Sequence, residues 1–141
     1  ELKTSKVAVV GLGLLVGKPI SLWLKGNPST GLGARAKELY LLDEGSDLSP
    51  PAGGLKQVDL VISGVGKAGL IKPEMLKDGA AVIDFGYDEH GESLLGDFDA
   101  SQLQTAKHKL QFYTPTPGGT GPILVAQLFE NFYKLNQLIN H

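Results

Sequence analysis

One stretch of the sequence, from Lys6 to Trp23, restricts the fold of this chain more than any other. It begins with Lys6 to Val10, whose small and β-branched apolar side chains are typical of a strand buried on both faces. Gly11, Gly13 and Gly17 follow, and a helical pattern comes after them. Glycine lets the backbone approach a pyrophosphate closely, and a helix N-terminus offers unpaired N–H groups and a partial positive charge. The order strand, glycine loop, helix therefore predicts a dinucleotide site.

The spacing of these glycines leaves an alternative open. They read G-x-G-x-x-x-G, which is one residue longer than the usual dinucleotide fingerprint. A glycine-rich turn that binds no ligand would give the same pattern, so the interpretation depends on the rest of the chain.

The composition excludes several classes of protein. A length of 141 residues predicts one domain with a substantial core, and a formal net charge of −2 gives no sign of a nucleic-acid or membrane-binding surface. There are no cysteines, so disulfides and thiolate metal sites are excluded, and we expect no metal. No apolar run reaches the roughly 18 residues of a membrane span, and the first five residues do not resemble a signal peptide. We therefore expect a cytoplasmic protein.

Four further strands are predicted after the first, at Leu39–Leu42, Val58–Ser63, Ala80–Phe85 and Leu110–Tyr113. Helical segments are predicted between and after them. These are one turn at 34–38, short helices at 72–77 and 98–106, and a last helix at 123–138 whose Leu124, Leu128, Phe132 and Leu135 are expected in the core. The proline- and glycine-rich segment 46–57 is expected to be irregular, and 87–96 to be a loop or small hairpin.

This alternation predicts an α/β fold of the Rossmann type: a single domain with a mostly parallel sheet and helices on both faces. Ligands of such sheets bind beyond the carboxyl ends of the strands, where the glycine loops 11–17, 64–69, 86 and 117–121 would all lie. Asp43 ends the second strand, where an acidic residue accepts hydrogen bonds from the adenosine ribose; an acidic turn residue is the alternative. Several glycine loops on one rim favour nucleotide binding over a purely structural role.

The loops also resemble those of a known family. The matching pieces are Val16-Gly17-Lys18-Pro19, Val65-Gly66-Lys67, Val82-Ile83-Asp84-Phe85-Gly86, Gly96-Asp97 and, most specifically, Thr114-Pro115-Thr116-Pro117-Gly118-Gly119-Thr120-Gly121-Pro122. In this order they resemble the NAD(P)-binding, C-terminal domain of the bifunctional methylenetetrahydrofolate dehydrogenase/methenyltetrahydrofolate cyclohydrolase family. The resemblance covers nearly the whole chain.

The resemblance implies an enzyme that oxidises 5,10-methylenetetrahydrofolate with a nicotinamide cofactor and hydrolyses the methenyl product. Together with the glycine pattern it gives the cofactor-binding candidates Gly11, Gly13, Leu14, Leu15, Val16, Gly17, Asp43, Gly64, Val65, Gly66, Lys67, Gly86, Gly119 and Thr120. It gives Pro117, Gly118, Gly119, Gly121 and Pro122 as the substrate cleft.

NAD is expected in preference to NADP. Members of the family that use NADP typically have Arg-Ser where Leu12-Gly13 stand here, and a polar or basic segment in place of Asp43-Glu44. A 2′-phosphate would lose charge-assisted hydrogen bonds of about 1.5–3 kcal/mol, roughly 10- to 100-fold in affinity. Arg35 or Lys37 could still supply a phosphate clamp.

The family's catalytic lysine belongs to an N-terminal folate-binding domain that we expect to be absent from this chain, which contains no Tyr-x-x-x-Lys. We therefore expect residues 1–141 to form the cofactor domain, to be inactive alone, to bind folate only with the missing domain, and to form a homodimer. The alternatives are the nucleotide domain of another NAD(P)-dependent dehydrogenase and a non-catalytic dimerising module.

Overall fold

The computed structural model describes residues 2–27, 29–43, 45–48, 54–91, 93–103 and 109–139. Its strands are β1 (Lys6–Val10), β2 (Glu38–Leu42), β3 (Leu60–Ser63), β4 (Ala81–Asp84), β5 (Asp88–His90), β6 (Ser93–Leu95) and β7 (Phe112–Tyr113). Its α-helices are α1 (Gly17–Lys25) and α2 (Thr120–Ile139). Short 3-10 helices span Leu2–Thr4, Gly54–Gln57, Pro73–Met75 and Ala100–Gln102.

The five strands of the main sheet run parallel to one another, which confirms the prediction of a mostly parallel sheet. Its five strands lie in the order β2-β1-β3-β4-β7, with Val7 of β1 opposite Leu39 on one side and Leu60 on the other. β2 therefore lies on one side of β1, and β3, β4 and β7 lie on the other side. The ends of β1 and β3 form the point where the strand order reverses, and ligands of open α/β sheets bind in the crevice at this point.

The core has two layers because side chains alternate between the faces of each strand. Val7 and Val9 face one layer, which α1 covers with Leu24. Ala8 and Val10 face the other layer, which the 3-10 helices cover with residues such as Leu55. Helical segments thus lie on both faces of a small single domain, although those on the second face are only single turns.

Two local predictions need correction. Residues 34–38 do not form a helical turn, because the Ala36 and Lys37 N–H groups donate to the carbonyls of Leu24 and Ser5 and so hold the segment extended before β2. The helix predicted at 98–106 is a 3-10 turn at Ala100–Gln102, in which the Ser101 N–H donates to the Asp99 carboxylate. Residues 104–108 lie outside the described residues. The predicted hairpin within 87–96 is confirmed as β5 and β6.

The prediction of core residues on the last helix is wrong. Leu124, Leu128, Phe132 and Leu135 are between 53% and 65% exposed, and none of the described side chains of α2 is buried. The four side chains share one face of the helix, as their spacing predicts, but that face is left exposed by the described part of the chain. In spite of its apolar character, neither α2 nor any other helix among the described residues meets the length and hydropathy needed to cross a membrane.

Candidate functional site

The loop between β1 and α1 leaves a set of backbone donors open. The Gly11 N–H donates to the Leu42 carbonyl at 2.8 Å, and the Lys18 N–H donates back to the Gly13 carbonyl at 2.9 Å, closing a turn over residues 14–17. Within the described part of the chain, no hydrogen bond engages the N–H groups of residues 14 to 16. No side chain caps the N-terminus of α1 either. Donors of this kind at a helix start suit a phosphate.

The glycines of this loop do two different things. Gly17 is buried, and a Cβ atom there would lie 1.7 Å from the Gly11 carbonyl oxygen. Gly13 is exposed, and a Cβ atom there would meet nothing within 4 Å. Gly17 therefore serves the contact between helix and strand, whereas Gly13 faces open space beside the free N–H groups. The residues present fit a dinucleotide pyrophosphate at Gly13.

A groove of about 480 Å³ runs from this loop towards the end of β2. Asp43 lies in its wall, where the carboxylate accepts a hydrogen bond from the Leu12 N–H at 3.3 Å. The Asp43 N–H donates to the Ser46 hydroxyl at 2.9 Å, which fixes the turn after β2. An exposed carboxylate is thus held beside the glycine loop.

The two cations considered as phosphate clamps lie elsewhere. Arg35 and Lys37 precede β2, whereas Asp43 follows it, so the length of the strand, about 15–20 Å, separates them from the groove. Asp43 and Lys67 are the charged residues among those that line the groove, and Asp43 is held to the loop by its hydrogen bond with the Leu12 N–H.

Two further cavities continue the groove on the other side of the loop. One of about 440 Å³ shares Gly13, Gly64 and Val65 with it and ends at Tyr87. The next, of about 910 Å³, shares Tyr87 and is mainly apolar. It is formed by the segment 115–122, which contains the cis Thr116–Pro117 peptide bond, and by the start of α2. The three cavities thus follow one another along the carboxyl edge of the sheet, and each shares wall residues with the next.

The loop after β3 folds around a buried carboxylate that sequence reasoning missed. Asp97 is fully buried, and it accepts hydrogen bonds from the N–H groups of Val65, Gly66 and Lys67 at 2.7–2.9 Å. The Ser63 hydroxyl donates to the same carboxylate at 2.6 Å. Asp97 formed part of the family resemblance without a role. The available signal was a carboxylate next to a glycine in an otherwise apolar stretch.

Asp84, at the end of β4, is a second buried carboxylate, only 1% exposed. Burial, reinforced by the charge of Asp97, raises the pKa of Asp84 to about 6, although the N–H groups of Phe98 and Gly86 donate to it at 2.9 and 2.8 Å. Its backbone carbonyl accepts a hydrogen bond from the Thr120 hydroxyl at 2.9 Å, which ties the first residue of α2 to β4.

The structure brings nearly all predicted site residues to this edge. Those that line the three cavities are Gly11, Gly13, Leu14, Leu15, Val16, Asp43, Gly64, Val65, Gly66, Lys67, Gly86, Pro117, Gly118, Gly119, Thr120, Gly121 and Pro122. Gly17 is the exception, because it is buried beneath the loop. Tyr87 was not predicted, although it follows directly on the predicted Gly86.

Comparison with known proteins gives a consistent answer. Residues 1–139 match the model of the tetrahydrofolate dehydrogenase/cyclohydrolase NAD(P)-binding domain. The chain is 37% identical over 139 residues to the bifunctional protein FolD of Lactobacillus delbrueckii subsp. bulgaricus, a match that covers 97% of this chain and 44% of that protein. The chain thus spans less than half the length of the relatives it matches.

Solved structures agree in fold. A 5,10-methylenetetrahydrofolate dehydrogenase from the silkworm Bombyx mori superposes with a TM-score of 0.81 at 29% identity, over 95% of this chain and 45% of that one. The methylenetetrahydrofolate dehydrogenase-cyclohydrolase of Trypanosoma brucei, solved with NADP cofactor and inhibitor, gives a TM-score of 0.72 at 28% identity, over 93% and 43%.

Proposed function

The chain belongs to the tetrahydrofolate dehydrogenase/cyclohydrolase family, as its NAD(P)-binding domain, and from this premise we propose how it works. It supplies the dinucleotide site of a bifunctional enzyme that oxidises 5,10-methylenetetrahydrofolate and hydrolyses the methenyl product to 10-formyltetrahydrofolate. The observation that carries this proposal is the turn at residues 13–17, with free N–H groups beside open Gly13, at the carboxyl ends of β1 and β3, where the strand order reverses.

We propose that the parts of the cofactor lie along this row of cavities. The pyrophosphate lies against the N–H groups of Leu14 to Val16, the adenosine extends into the groove that ends at Asp43, and the nicotinamide half extends towards Tyr87. When bound, the nicotinamide accepts the hydride. The chain's own residues orient that ring at the mouth of the apolar cavity, where the folate enters.

The preference for NAD over NADP rests on Asp43. Its carboxylate stands in the groove that would receive the adenosine ribose, where it accepts hydrogen bonds from ribose hydroxyls and repels a 2′-phosphate. The position of Arg35 and Lys37 before β2 supports the same preference, because neither backbone segment approaches this groove.

Catalysis requires residues beyond this cofactor site. The chain spans 44% of the first matched relative, and α2 presents an apolar face that nothing in the described residues covers. We infer that α2 packs against the folate-binding part of the full-length protein, that folate binds between the two, and that the cofactor domain is inactive alone.

A homodimer through the edge of the sheet is part of the same proposal, since β2 pairs only with β1 among the described strands. Sedimentation with and without cofactor tests it.

Thermal unfolding tests cofactor binding directly. NAD at a hundred times its Kd stabilises a protein that binds it only when folded by about 2.7 kcal/mol, which raises the Tm. We expect a larger shift with NAD than with NADP at equal concentration, and none with nicotinamide alone. The absence of a shift with both dinucleotides would overturn the proposed cofactor site.

A further inference from the structure

The glycine-rich loop after β3 already encloses an anion that belongs to the chain itself. Three successive N–H groups, those of residues 65 to 67, converge on the Asp97 carboxylate, with each oxygen accepting two of the four hydrogen bonds. Successive N–H groups of this kind form a concavity suited to an anion such as a phosphate. In this loop the concavity is filled, and Asp97 is fully buried beneath it.

The same loop is packed tightly on the predicted pyrophosphate turn. A Cβ atom at Gly11 would lie 2.8 Å from a Val65 methyl group, and one at Gly64 would lie 2.7 Å from a Val16 methyl group. Gly64 and Val65 also line both grooves on either side of the turn. Any displacement of this loop therefore changes the surface on which the dinucleotide would lie.

We propose that Asp97 is a positioning residue for cofactor binding, which acts by filling the anion site of the loop Gly64–Lys67 and holding that loop against the turn at residues 11–17. The proposal rests on the proposed function. It also assigns the N–H groups of Val65, Gly66 and Lys67 to Asp97 and not to the cofactor phosphates. The pyrophosphate depends on the β1–α1 turn alone.

Gly86 provides an independent means of moving the carboxylate. A Cβ atom at Gly86 would lie 2.1 Å from the Asp97 carboxylate atoms, so no side chain is compatible with Asp97 in its observed place. Gly86→Ala should therefore displace the carboxylate from the loop without removing it. In a chain that lacks the carboxylate, the same substitution meets no such obstacle.

The first experiment measures the Kd of NAD by calorimetry for the wild-type chain, Asp97→Ala and Asp97→Asn. We expect Asp97→Ala to weaken NAD by about tenfold or more, because three loop donors lose their acceptor. Sodium formate, which can occupy the emptied site as a free carboxylate, should restore much of the affinity. Val82→Ala, a buried change in β4 away from the loop, is the control: it lowers stability, keeps the NAD affinity and does not respond to formate.

The second experiment is a double-mutant cycle. Gly86→Ala should weaken NAD in the wild-type background but have little further effect in the Asp97→Ala background, where it should block rescue by formate. Additive losses in affinity would overturn the proposal. Ser63→Ala, which removes a single donor to Asp97, covers the case in which Asp97→Ala fails to fold, and should weaken NAD severalfold.

The outcomes separate the two proposals. A wild-type chain that binds no NAD overturns the proposed function, and this inference with it. If the wild type binds NAD but Ser63→Ala and folded Asp97 variants bind it equally well, only this inference is overturned. Loss of affinity without rescue by formate, matched by Val82→Ala at equal loss of stability, would show a purely structural carboxylate and overturn it as well.

Discussion

The carbonyl oxygen of Gly11 lies where a side chain of Gly17 would begin: a Cβ atom at Gly17 would stand 1.7 Å from it. The first residue of α1 therefore packs directly on the residue that follows β1, with no space for a side chain between them. This contact sets the distance between helix and sheet, and it places the N-terminus of α1 over the carboxyl edge. The spacing of the glycine motif thus encodes a packing contact as well as a ligand contact.

Gly17→Ala should destabilise the fold strongly. The added methyl group would overlap a backbone atom, which cannot rotate away as a side chain can, so we expect a loss of about 3 kcal/mol in the free energy of unfolding. Urea unfolding followed by circular dichroism measures it. A loss below about 0.5 kcal/mol, the range of ordinary surface substitutions, would contradict the packing contact.

Gly13→Ala should keep the stability of the fold but weaken cofactor binding. A Cβ atom at Gly13 meets nothing within 4 Å, so stability should stay within about 0.5 kcal/mol of the wild type. The same methyl group would stand where the pyrophosphate must approach, and we expect NAD to bind about tenfold more weakly or worse. Calorimetry and urea unfolding on the same variant check both halves. Unchanged NAD affinity would show that the pyrophosphate does not bind at this turn.

The parallel sheet and the site edge could be predicted because the signals are local. A buried parallel strand is a short apolar run, and each such run here ends in a glycine loop, so the carboxyl edge follows from the order of segments alone. The segments whose structure was predicted wrongly depend on contacts with residues that are distant in the sequence. Residues 34–38 are held extended by bonds to Leu24 and Ser5, which no local pattern reveals.

The roles of individual loop residues were harder to predict for the same reason. The sequence predicts a ligand-binding loop at Val65, Gly66 and Lys67. Only the fold shows that the carboxylate of Asp97, thirty residues later, accepts hydrogen bonds from their N–H groups. Helical spacing in α2 likewise shows which side chains share a face. It cannot show whether the described chain covers that face.

Asp43→Ala should change cofactor choice. Loss of a charge-assisted hydrogen bond to the ribose costs about 1.5–3 kcal/mol, so NAD should weaken by roughly 10- to 100-fold, while NADP is relieved of repulsion and weakens less or improves. Asp43→Asn, which keeps an acceptor but not the charge, should lose less NAD affinity. Titration of both dinucleotides measures the ratio.

Glu74→Gln is the matched control for this prediction, because it removes one exposed negative charge outside the three cavities. It should leave the ratio of NAD to NADP affinity unchanged. A wild-type chain that prefers NADP would contradict the role given to Asp43.

Leu135→Ala should leave the stability of this chain nearly unchanged. The Leu135 side chain is 58% exposed on α2, whereas Leu24 on α1 is 1% exposed and packs in the core with Val7 and Val9 of β1. Leu24→Ala should cost about 2–5 kcal/mol, and Leu135→Ala less than about 0.5 kcal/mol. Urea unfolding compares the two directly. A large loss for Leu135→Ala would mean that α2 is covered in solution by another copy of the chain.

The free energy of unfolding should depend on pH through the protonation of Asp84. Its pKa is raised from 3.8 to about 6 in the folded protein, so the folded state holds a proton that the unfolded state releases. The stabilisation is present in full below pH 4 and is lost as the pH rises through 6, which amounts to about 3 kcal/mol over this interval. Glu38 and Asp59, whose pKa values are lowered by their partners, act in the opposite sense as the pH falls.

The comparison of wild type with Asp84→Asn isolates this contribution. Asparagine has one acceptor oxygen where Asp84 has two, and the Gly86 and Phe98 N–H groups donate to different oxygens, so the variant should be less stable overall. Its unfolding free energy should nevertheless lack the decline between pH 4 and 6, whereas Glu74→Gln should keep it. Urea unfolding at several pH values measures the three curves. Parallel curves for wild type and Asp84→Asn would mean that Asp84 is already ionised at pH 4, and that the charge of Asp97 and burial together fail to hold its proton.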